Sequence, residues 1–221
     1  MPPIFLLLFL FLGIKAENAN KTSCGGFQAN FDVKSVVGTW YVVAIIPEKL
    51  FPENTEHVTC YRVEFSETDE AGLRWLVNST LESKTVTDMV GRITGTIIRQ
   101  RYFSERPFDV WSKTVGVKGC FQQLLALDTD KSAISKAVTN DAIMQLHLLE
   151  TSNGPFLLQM LWGKMVSAVI YRRKEGVTQD QLKPAFEFMS KLRGPQRLPR
   201  ICAKSLRDII TPHSLKQLSY D

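Results

Sequence analysis

Between residues 58 and 66 the chain reads Val-Thr-Cys-Tyr-Arg-Val-Glu-Phe-Ser, so that Cys60, Arg62 and Glu64 alternate with Tyr61, Val63 and Phe65. A two-residue period fits a strand, whose successive side chains point to opposite faces. The face bearing Arg62 and Glu64 must meet water, so the aromatic face turns inward. Phe108, Val110 and Ser112 alternate with Asp109, Trp111 and Lys113 in the same way. Segments of strand character at 39–46, 58–66, 72–82, 86–99, 107–114, 119–128, 142–150 and 156–171 are separated by turn signals. That spacing argues for an antiparallel all-β sandwich or barrel.

One segment breaks the pattern. Leu182, Ala185, Phe186, Met189 and Leu192 recur at spacings of three and four, which predicts a helix near 178–193 with one apolar stripe. Gly194-Pro195 stops it. Pro184 either lies close to its start or kinks it. Such a stripe needs a partner surface, and the outer wall of a barrel would serve.

The first 16 residues have the shape of a cleaved signal peptide. Ile4 to Gly13 is apolar, too short for a membrane span of about 20 residues, and Ala16 precedes the polar Glu17. Residues 17–221 are then sized for one domain. Loss of Lys15 lowers the formal charge from +5 by one. Four cysteines, Cys24, Cys60, Cys120 and Cys202, read as two disulfides formed in an oxidising compartment. The sequons at Asn20 and Asn78 follow the same logic. Alternation counted from an inward Trp75 puts Asn78 outside, free for a glycan and with Arg74 in water; alignment with an inward asparagine would bury it, and the outward reading is preferred.

Chemistry-bearing motifs are scarce. The three histidines, His57, His147 and His213, stand apart from one another, with no HExxH, GxSxG or Gly-rich phosphate loop. His57 and His147 read as surface or core residues rather than haem ligands. No enzyme, metal or nucleic-acid function is expected. The run from Lys191 to Arg207, basic from the helix end into a tail beginning near 194, reads as solvated surface, or else as a weak patch for an acidic partner or membrane surface.

The stretch Asn30-Phe31-Asp32-Val33, followed by Gly38-Thr39-Trp40-Tyr41, Ile46-Pro47 and Cys60, with Arg172-Arg173, a late helix and Cys202, resembles the lipocalins. The resemblance is nearest to the apolipoprotein D and insect bilin-binding branch. It implies an eight-stranded antiparallel up-and-down barrel with the helix packed outside. It implies that Gly38 and Trp40 are structural and that a basic side chain, Arg172 in preference to Arg173, lies across the Trp40 ring, a contact worth ~1–2 kcal/mol when partly desolvated. It further implies a Cys60–Cys202 bond, leaving Cys24 for Cys120. Relatives place the first cysteine's partner late in strand seven, where Leu148 or Leu149 stands here. The antiparallel neighbour brings the start of the preceding strand, and Cys120, close to that place. The family's second motif corresponds to Asp128-Thr129-Asp130 or to Thr139-Asn140-Asp141, within an enlarged connection over 129–141.

If Trp40 points inward, so do Val42, Ala44 and Ile46. The expected ligand-facing set is Val42, Ala44, Tyr61, Val63, Phe65, Trp75, Phe108 and Val110, with Ala44 and Ser112 leaving room. A barrel of eight strands holds one small ligand when its interior is not filled. The expectation is a secreted, extracellular carrier of a bilin, retinoid, carotenoid, sterol or fatty acid, bound without covalent attachment. A secreted interaction protein with a filled barrel, binding through loops and basic tail, is the other.

Overall fold

The computed structural model describes residues 24, 29, 32–47, 60–80, 95–103, 107–128, 137–139, 142–161 and 166–202. A short helix α1 (Val33–Val36), capped by the Asp32 side chain accepting from the Lys34 amide, leads into β1 (Gly38–Pro47). There follow β2 (Arg62–Thr68), α2 (Glu70–Thr80), β3 (Ile97–Phe103), β4 (Phe108–Thr114), β5 (Cys120–Asp128), β6 (Ala137–Thr139), β7 (Ile143–Leu149), β8 (Phe156–Leu161), β9 (Val166–Arg172), α3 (Gln179–Arg193) and β10 (Arg200–Ile201).

The strands form one sheet in the order β1-β2-β3-β4-β5-β7-β8-β9, closed by antiparallel pairing of β9 with β1. The result is an eight-stranded up-and-down barrel. β6 pairs with β5 inside the connection over 129–141, and β10 pairs with β1 at Ala44 and Ile45. Closure removes every barrel edge, which is how an all-β chain of this kind avoids edge-to-edge association.

Two apolar clusters follow from the pleat. The inner one gathers Trp40, Val42, Val63, Phe65, Ile98, Phe121, Met144, Leu146, Leu157 and Tyr171. The outer one lies between the wall and α3, where Phe156, Leu158, Met160, Ala168 and Ile170 meet Leu182, Ala185 and Met189. The apolar stripe of α3 therefore covers the barrel's outside, as its periodicity requires. Thr178 and Gln181 form a capping box at its start, ahead of Pro184.

Two strand assignments change, and their errors cancel in the count. Residues 72–80 of the segment 72–82, expected as strand, belong to the helix α2; residues 81 and 82 lie outside the described residues. Asp69 caps it by accepting from the Gly72 amide, Leu73 donates to the Asp69 carbonyl, and Arg74 pairs with Glu70 one turn back at 2.6 Å. Local capping and an i,i+4 pair outweighed the strand propensity of Trp75 and Val77. The run 156–171, expected as one strand, is the hairpin β8–β9, with Phe156 opposite Arg172 and Met160 opposite Ala168. The overlooked signal is Gly163, a breaker inside an apolar run. β3 begins at Ile97, near the end of the predicted 86–99 segment, whose residues 86–94 lie outside the described residues.

Candidate functional site

One end of the barrel is locked by Trp40. Its ring is fully buried, and its indole N–H donates to the Val36 carbonyl of α1 at 2.7 Å. The guanidinium over its face belongs to Arg173, 3.9 Å from the ring centroid, and not to Arg172. Inward parity on β9 runs through Val169 and Tyr171 to Arg173; Ala168, Ile170 and Arg172 face the helix. Arg173 also donates to the carbonyls of Thr39, Ser35 and Val37, binding α1 to β1. Gly38, at φ +104°, serves this lock twice: its backbone is left-handed, and a Cβ there would stand 3.1 Å from Arg173 Nη1. Arg172 instead lies over Phe156 and donates to Gly176 O, Gln181 Oε1 and Asn153 O, tying the β7–β8 turn to the entrance of α3.

Of the expected interior set, Val42, Val63 and Phe65 belong to the inner cluster, and Tyr61 packs against it. Phe108 stacks on Tyr102 with centroids 4.5 Å apart, and Val110 is buried opposite Gln100. Two expectations fail. Ala44 lies in the outer cluster, because the β1–β9 register slips between Val42 and Ala44: Val42 faces Tyr171, but Ala44 faces Ile170. This β-bulge at Val43 reverses the parity of everything after it, sending Ile46 outward as well. Ile45, paired with the inward Val169, takes the inner position. Trp75 lies on α2 rather than on a strand of the wall and is 71% exposed.

A second group, missed from sequence, is polar. Gln100 on β3 and Gln159 on β8 are both buried, and Gln100 Nε2 donates to Gln159 Oε1 at 2.8 Å. Four steps separate those strands in either direction round the barrel, so this bond crosses the interior from wall to wall. Tyr171 OH donates to the same Gln159 oxygen at 2.8 Å, and Tyr102 OH lies 3.3 Å from Tyr171 OH and 3.2 Å from Gln100 Nε2. Burial raises the pKa of Tyr102, and that of Tyr171 more strongly, so both remain neutral phenols. Among the described residues, two buried atoms of the inner face have no partner: Gln100 Oε1 and Ser112 Oγ. Single glutamines inside an apolar alternation were the available signal, since a buried amide must find partners.

The cationic side chains of β3 point outward. Arg99 and Arg101 both bond the buried carboxylate of Asp109, Arg101 at 3.0 and 3.1 Å, and this bonding raises the Arg101 pKa. Disulfides join Cys24 to Cys120 and Cys60 to Cys202. Cys120 faces Gln145, in the middle of β7 and earlier than Leu148. His147 is buried on the outer face, its ring edge-on to Phe188 of α3 at 5.3 Å. Asn78 falls within α2 rather than on a strand, which removes the alternation that set its direction. Asn20, residues 1–16 and residues 203–207 of the basic run lie outside the described residues. Within that run, Arg193 is committed to the carbonyls of Leu161 and Ser167.

Among the described residues no helix is long and apolar enough to cross a membrane, and no group of three His, Cys, Asp or Glu side chains is placed to hold a metal ion. No protein-family model and no curated protein matches the chain.

Proposed function

We propose that the protein is a secreted, non-enzymatic carrier that holds one small lipophilic molecule within its barrel. The observation that carries this reading is a gradient along the interior. Around Trp40 the inner cluster is fully buried apart from Val33 and Leu148. The inward side chains towards the other end, Ile45, Tyr61, Tyr102, Phe108, Leu161 and Val169, remain only partly buried although they are apolar or aromatic. Apolar surface left half-covered inside a barrel gains about 25 cal/mol per Å² when a ligand covers it. A molecule burying roughly 400 Å² of such surface reaches micromolar affinity after ordering costs. The closed barrel is compatible with the lipocalin resemblance of the Gly38-Thr39-Trp40 stretch, and the two disulfides fit an oxidising compartment.

Extraction of protein purified from its natural source, followed by absorption spectroscopy and mass spectrometry, tests the proposal. A stoichiometric lipophilic compound is expected. Val110→Trp should abolish its binding while the folded circular-dichroism spectrum persists; unchanged binding would remove the interior as the site. The interaction-protein reading draws its support from Trp75, a large aromatic exposed on α2. It takes over if no compound is found and Trp75→Ser abolishes a defined protein complex.

A further inference from the structure

We infer, building on the carrier reading, that the ligand is uncharged and carries a hydrogen-bond donor, a hydroxyl or lactam N–H, which is received by Gln100 and Ser112 inside the barrel. Gln100 sits opposite Val110 and Ser112 opposite Ile98, so the two side chains are diagonal neighbours on the inner faces of β3 and β4. Both are fully buried, and Gln100 Oε1 and Ser112 Oγ are without partners. Buried polar atoms are nearly always bonded, and one left unmade is costly. The rest of the polar group is already satisfied from within. Gln100 Nε2 and the Tyr171 hydroxyl both donate to Gln159 Oε1. In this orientation of the two amides the free atom of Gln100 is its oxygen. An amide oxygen accepts and cannot donate, so it selects a donor. The Ser112 hydroxyl can then donate to, or accept from, the same ligand group.

The charge pattern near Gln100 and Ser112 disfavours the other common lipid headgroup. A carboxylate taken into this interior needs a cation or several donors. Among the described residues the cations following the inward parity are Arg173, held on Trp40 and three carbonyls at the closed end, and Arg200, opposite Ile45 on the short β10, which the sheet order separates from the β3 of Gln100 by β1 and β2. Arg99 and Arg101 are outside, on Asp109. Burial keeps both tyrosines protonated, in keeping with a region hostile to anions. Solvent does not reach the two free atoms, so the ligand arrives past the Tyr102–Phe108 stack, whose rings are only partly buried.

The test is a binding titration of the full chain with matched sets: hexadecanol, hexadecyl methyl ether and hexadecanoate; retinol, retinyl methyl ether and retinoate; cholesterol and its methyl ether; bilirubin dimethyl ester and its lactim ether. The donor-bearing member of a bound set should bind about tenfold more tightly than its ether and than its carboxylate. Gln100→Leu should erase that preference while ether affinity stays, which also reports an intact site. Ser112→Ala, one oxygen smaller, should reduce the preference several-fold without risk to the fold. Ether or carboxylate binding as tight as that of the donor overturns this inference and leaves the carrier reading standing. Failure of every set to bind overturns both.

Discussion

His147 gives the fold a built-in sensitivity to acid. It is 4% exposed, on the outer face of β7 opposite Leu158, with Phe188 of α3 against its ring and no partner for Nε2. Burial lowers its pKa from 6.5 to about 4. The neutral imidazole is thus the form the native state accepts, and the unfolded chain binds the proton more readily. The resulting stability is complete above pH 6.5 and is lost as the pH falls from there towards 4. Full protonation corresponds to about 3 kcal/mol, from the separation between the two pKa values. At pH 5.0 the loss already reaches about 2 kcal/mol by the same linkage. His147→Leu removes the titrating group and keeps an apolar contact for Phe188. Urea unfolding of both proteins at pH 7.5 and 5.0 isolates the effect, because every other titration is common to the pair. Wild type should lose about 2 kcal/mol more than the variant. Equal losses would refute the argument that this imidazole is buried uncharged beneath α3.

The other substitutions probe separate parts of the structure. Arg173→Ala should cost about 2–3 kcal/mol in chemical unfolding through the lost Trp40 contact and carbonyl bonds, and should raise hydrogen exchange at the indole N–H. Arg172→Ala should leave that exchange unchanged and loosen the start of α3. Cys60→Ser with Cys202→Ser should lower stability by about 3–5 kcal/mol, given the 142-residue separation, and peptide mapping of the wild type should recover that link alongside Cys24–Cys120. Asp109→Asn should destabilise by about 1–3 kcal/mol, leaving Arg99 and Arg101 without their shared anion, as thermal unfolding would reveal.

The parts legible in the sequence are those governed by local period. The alternation at Tyr61, Val63 and Phe65 and the helical stripe through Leu182 and Met189 each named a face, and that face is where the side chains lie. Parity counted over longer distances failed wherever the count was interrupted. One extra residue at Val43 sent Ala44 outward and brought Ile45 in, and no residue type in Trp40-Tyr41-Val42-Val43-Ala44 announces a bulge. Choosing between Arg172 and Arg173 needed the parity of β9, which a 156–171 strand without its turn could not supply. The α2 assignment turned on Asp69 and Glu70, ordinary capping residues that propensity for Trp75 overshadowed. The Gln100–Gln159 bond joins opposite walls, a relation that only closure of the barrel creates.

β1 has two edges, and both are finished by the last part of the chain. Beyond Tyr41 its pairing with β2 ends, and β10 takes that edge at Ala44 and Ile45; the other edge belongs to β9. During synthesis, therefore, the strand bearing Trp40 emerges early and waits. Cys60 waits with it, 142 residues ahead of its partner. At about 5–20 residues per second that interval lasts roughly 7–28 seconds. For that time an apolar ribbon and a free thiol stand open together. Only the arrival of β10 and Cys202 closes both the edge and the thiol.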